Sequence, residues 1–121
     1  MDFKTLTTVS AVLLALLGSG WLFKGTMMMT RWRLEPNAAA LLIGRRLGTV
    51  YLGLAVLIGA VRGIPAGDAQ WALCLGAAAF LSLIALIGVY EFVNKRVGPA
   101  IWASILVEVL LAIGYLALMR P

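Results

Sequence analysis

Four apolar runs, near residues 5–23, 38–61, 69–93 and 99–119, nearly exhaust this chain. About 20 mostly apolar residues cross a bilayer as a helix, and each run is long enough. Of its 121 residues 63% are hydrophobic and 12% charged, against roughly 25% charged in an ordinary soluble domain. A soluble chain this short has no means of hiding so much apolar surface, so its solvent is lipid. In lipid each run must satisfy its backbone internally, as a helix. The expected fold is all-α: a four-transmembrane-helix bundle, forming one integral membrane domain over residues 1–121.

Residue types narrow the chemistry further. The chain has no histidine, and its one cysteine, Cys74, lies within an apolar run. Histidine-ligated haem, a zinc site and an internal disulfide are thereby set aside, and no metal or cofactor is expected. The net charge is +5. In a soluble protein that would raise nucleic-acid binding. Here the basic residues cluster in short loops and at span ends, as a topology signal facing lipid headgroups, and no nucleic-acid partner is expected.

Along the chain, the first run continues through Trp21-Leu22-Phe23 past its glycines, as a retained span rather than a cleaved signal. Lys24 to Asn37 is the longest loop, with Met27 to Met29 beside Trp32, Arg31 and Arg33. It suits a short interfacial segment over one mouth of the bundle, or a methionine-lined lid. Asn37 can cap span two, Asp68 can cap span three, and Pro99 suits the first turn of span four. Gly44 and Gly48 allow a close helix contact. Basic residues of loops one and three outnumber Lys4, Arg62 and Arg120 opposite, which directs both termini outward from the cytoplasm.

Arg45 and Arg46 fall inside span two rather than at its tip. Arginine in hydrocarbon costs about 2.5 to 17 kcal/mol, depending on the method, and needs water or a partner. Counted from Asn37 the pair lies roughly 12–14 Å deep, and Glu108 lies as deep counted from Pro99. The expectation is an intramembrane cluster of Arg45 and Arg46 with Glu108, Arg46 being the inward arginine because Arg45 is nearer the interface and snorkels more easily, with Tyr90 and Glu91 above. Thr49 lies one turn from the arginines, and Ser104, Glu108 and Tyr115 share a stripe of span four. Glu91 and Lys95, four apart, are expected to pair at the surface. Three readings of the cluster stay open: an ion pair fixing helix register, a site for a quinone or lipid, and a proton- or ion-coupled path. No nucleophile motif supports an enzyme, although Glu91, Glu108 and Tyr90 include an acid and a base.

The run Gly44-Arg45-Arg46-Leu47-Gly48-Thr49-Val50-Tyr51-Leu52-Gly53-Leu54-Ala55 resembles the DoxX-like group of small four-helix bacterial membrane proteins. So do Tyr90-Glu91 closing span three, Gly98-Pro99, and the glutamate inside span four. The resemblance covers Val9 to Leu118. It implies a compact protein of the bacterial inner membrane in a non-enzymatic accessory or ligand-binding role. It also implies that Arg46, Glu91 and Glu108 occupy the group's polar positions. A partner membrane protein or self-association is expected, because four helices bury little.

Overall fold

The computed structural model describes residues 2–119; Arg120, counted above in the charge balance, lies outside them. Five helices follow one another: α1 (Phe3–Phe23), α2 (Gly25–Arg31), α3 (Ala38–Ala60), α4 (Asp68–Val93) and α5 (Ile101–Leu118). The four long helices are apolar enough to cross a membrane, and no strand occurs among the described residues. The protein is an all-α, multi-pass membrane protein built as a bundle.

Each start and stop has a local cause. The Asp2 carboxylate accepts from the Thr5 N–H at 2.7 Å and caps α1. The Asn37 side chain caps α3 by accepting from Ala40 N–H at 2.9 Å. Asp68 is not the cap of α4; Gly67 holds that position with φ 153°, and Asp68 falls in the first turn. There its charge still favours the helix dipole. Pro99 precedes α5, whose cap is Ala100, because the chain enters through a tight turn.

Helices α2 and α4 end alike. Arg33 N–H donates to Thr30 O and Leu34 N–H to Met29 O; Lys95 N–H donates to Phe92 O and Arg96 N–H to Glu91 O. Both are Schellman closures, which need a left-handed residue after the cap. Here those residues are Arg33 (φ 59°) and Lys95 (φ 60°) instead of the usual glycine.

The long helices pack as two pairs, α1 with α3 and α4 with α5. Gly18 and Gly48 bring α1 and α3 into backbone contact: a Cβ on Gly48 would lie 2.6 Å from Gly18 O and 2.8 Å from Leu22 N. The Trp21 ring packs on Gly44, where a Cβ would meet its edge at 2.8 Å. In the second pair Ile105 packs over Gly88.

The pairs are joined at their two ends. Near the start of α1, Leu6 packs on Gly114, within a core of Phe3, Leu6, Cys74, Ala78, Leu81, Ala112 and Tyr115. At the other end Trp32 meets Trp21 edge to face, centroids 5.6 Å apart, and accepts from Gly98 N–H at 2.8 Å. The methionine loop is thus a short helix, α2, that buries Met29 against the first pair, and Trp32 just after it packs against the cluster of Ala85, Ile101 and Ile105 in the second.

Candidate functional site

Between the helix pairs lies a groove of about 400 Å³. It is lined by the middle of α1, the last half of α3, the first half of α4 and the middle and end of α5. Leu14, Leu57, Phe80 and Leu111 give its walls their apolar character, and Glu108, Tyr115 and Ser10 are its polar residues.

Helical spacing explains who lines it. The α5 face turned into the bundle is Ile101, Ile105, Ala112 and Tyr115, at intervals of four, seven and three. Glu108, three residues after Ile105 and four before Ala112, lies on that same stripe; it is half-buried because there the stripe faces the groove rather than packed core. Tyr115 is buried and donates from its hydroxyl to Ser10 Oγ at 2.7 Å. Ser10 Oγ in turn donates to Leu6 O at 2.8 Å, the usual way a hydroxyl is satisfied inside a helix. Tyr51 of α3, also buried, lies within electrostatic reach of Glu108.

The expected Arg45/Arg46–Glu108 cluster is not formed. Both arginines are exposed, and the only ion pair among the described residues joins Arg96 to Glu91. Two physical reasons account for this. First, the inward face of α3 is Gly44, Gly48, Tyr51 and Ala55. At about 100° per residue, Arg46 points some 160° away from Gly44 and Arg45 about 100° away. Second, the depths do not match. Gly44 contacts Trp21, Trp21 contacts Trp32, and Trp32 bonds Gly98, so the arginines stand near the level of Gly98. Glu108 is ten residues further along, or about 15 Å at helical rise. The α3 residues that share the groove with it are Leu54, Leu57 and Ile58. Counting both spans from their caps assumed that α3 and α5 begin level. Instead the first turns of α3 extend beside α2, past the start of α5.

The other predicted residues divide similarly. Thr49 is exposed and spends its hydroxyl on Arg46 O at 2.7 Å. Ser104 is half-buried on α5 but does not line the groove. Tyr90 and Glu91 stand at the loop end with Arg96, whose guanidinium lies 5.5 Å from the Tyr90 ring centre and 3.3 Å from Glu91 Oε1. The expected partner of Glu91 was Lys95. The left-handed turn at Lys95 breaks helical spacing and swings Arg96 into its place. Of the eight predicted residues, Glu108 and Tyr115 alone line the groove. Ser10 was missed, although a hydroxyl one turn from Leu6 in an apolar run was a visible signal.

Among the described residues no group of three histidine, cysteine, aspartate or glutamate side chains is placed to hold a metal. The groove can hold an elongated apolar body and accept hydrogen bonds from its polar end. Comparison with protein-family models, with curated proteins and with solved structures finds no match for this chain.

Proposed function

We propose that this small polytopic membrane protein binds a lipophilic small molecule in the groove between its helix pairs, with the ligand's polar end at Glu108. The observation that carries this reading is a carboxylate set in an otherwise apolar cavity and without an ion-pair partner among the described residues. Ionisable residues inside a bundle are costly and face water, partners or ligands. Small-molecule sites share this make-up, an apolar lining with a few placed polar groups. The role is one of binding rather than catalysis, within the broad kind of small bacterial inner-membrane protein that the DoxX-like resemblance implies.

Charge asymmetry supports an orientation. Lys24, Arg31, Arg33, Lys95 and Arg96 gather at the α2 end, with Arg45 and Arg46 near the same level. By the positive-inside rule that end is cytoplasmic, so the termini and the groove belong to the outer half of the membrane.

Gly76 provides the test. It lines the groove, and a Cβ there would meet nothing within 4 Å. Gly76→Leu should therefore fill the cavity without straining the helices. Mass spectrometry of the gently solubilised wild-type protein is expected to find a copurifying lipophilic compound that the folded Gly76→Leu variant lacks. Equal recovery from both would refute the groove as the binding site.

A further inference from the structure

Resting on that reading, we propose that the groove's ligand is a single-chain organic amine, bound as its ammonium to Glu108 in exchange for a proton. The hydrogen-bond inventory selects it. The Tyr115 hydroxyl proton is committed to Ser10, and the Ser10 proton to Leu6 O. No arginine, lysine or tryptophan lines the cavity. The two lining hydroxyls are thus committed, and Glu108 in its ionised form accepts only. A quinone, whose carbonyls only accept, leaves the ionised carboxylate without a counter-charge. An alkylammonium brings N–H donors and the complementary charge, and a charge-assisted hydrogen bond is the stronger kind.

Size narrows the choice. A cavity of about 400 Å³ lies at the small end of ligand sites. It takes one alkyl chain more readily than two, which favours a free amine over a diacyl aminophospholipid.

Nothing charged nearby competes for Glu108. The groups around it are Ser10 on α1, Tyr51 on α3 and Tyr115 on α5, with Cys74 of α4 beside Tyr115; the α4 lining is otherwise Ala72, Leu73, Gly76, Ala77, Phe80 and Leu81. A proton and an ammonium contend for the same two oxygens. Binding a protonated amine to the protonated groove places the ammonium on the carboxylate and releases one proton to water.

The test is native mass spectrometry of the full chain with decylamine, decanol or decyltrimethylammonium. Near pH 8, decylamine is expected to bind about tenfold more tightly than decanol, the scale of one hydrogen bond to a charge. Decyltrimethylammonium, charged but without N–H, should fall between them. The amine's advantage should shrink towards about pH 5 and vanish in Glu108→Gln, while decanol binding persists. Glu108→Asp should keep part of the advantage, which separates charge from fold. Equal binding of amine and alcohol, or a preference surviving Glu108→Gln, overturns the amine while leaving the groove reading in place. Equal binding of amine and trimethylammonium overturns the donor argument. Displacement of decylamine by a diacyl phosphatidylethanolamine overturns the single-chain assignment. Absence of binding by all three probes overturns the groove itself.

Discussion

Replacing Gly48 by alanine should separate α1 from α3. The new methyl would sit 2.6 Å from Gly18 O and 2.8 Å from Leu22 N, where 3.4 Å is the near limit of ordinary contact. Both neighbours are helix backbone and have no rotamer to yield, so the helices must part by about 0.8 Å. A gap of 0.5–1 Å forfeits a quarter to a half of each dispersion contact, and each atom pair is worth about 0.1–0.2 kcal/mol. Over some tens of pairs along the interface the loss is ~2 kcal/mol, within the range for overpacked cores. Gly53→Ala on the same helix is the control, because nothing lies within 4 Å of that position. It should stabilise by ~0.5–1 kcal/mol, the helix preference for alanine over glycine. The assay is reversible unfolding in mixed detergent micelles, followed by helical circular dichroism. Gly18→Ala should cost as much as Gly48→Ala, and the double variant less than their sum, since both lose the same contact. If Gly48→Ala and Gly53→Ala unfold together, the close approach of α1 and α3 is wrong.

Other perturbations test separate parts of the structure. Tyr115→Phe removes the bond to Ser10 and should cost ~0.5–1.5 kcal/mol in the same unfolding assay. Lys95→Gly relieves a left-handed non-glycine residue and should stabilise by ~1 kcal/mol. Glu91→Gln breaks an exposed ion pair and should change stability by less than ~1 kcal/mol. At the start of α1, the hydrogen bond from Thr5 holds the Asp2 carboxyl below its ordinary range. A lowered folded value means that this cap acts in full above the ordinary carboxylate range and is lost as pH falls through the folded value. The protection of the Thr5 amide, the intrinsic exchange rate at each pH over the observed one, should fall on acidification through that window, and Asp2→Ala should abolish that fall.

Helix number and helix type were legible because lipid leaves the backbone no alternative, and each apolar run had the length of a span. Caps with a side-chain acceptor, such as Asn37, were legible too. Relative depth was not. Nothing in the order of residues says that α3 starts before α5 along the bundle axis; that offset comes from Trp21 and Trp32 packing between Gly44 and Gly98. The same offset removes Arg46 from Glu108. Facing was half legible: Gly44, Gly48 and Tyr51 identify one face of α3, and that face by itself turns Arg46 away. Lys95 misled because four-residue spacing holds only while the helix continues, and the Schellman turn ends it there.

The central claim is that Glu108 belongs to the apolar groove beside α3 residues 54–58 and not to the level of the arginine pair. Cysteine pairs in a Cys74→Ser background, treated with a short bis-methanethiosulfonate, test it directly. Leu57→Cys with Glu108→Cys should cross-link within one chain, and Arg46→Cys with Glu108→Cys should not. Cross-linking of the arginine-position pair, with none at Leu57, would contradict the account.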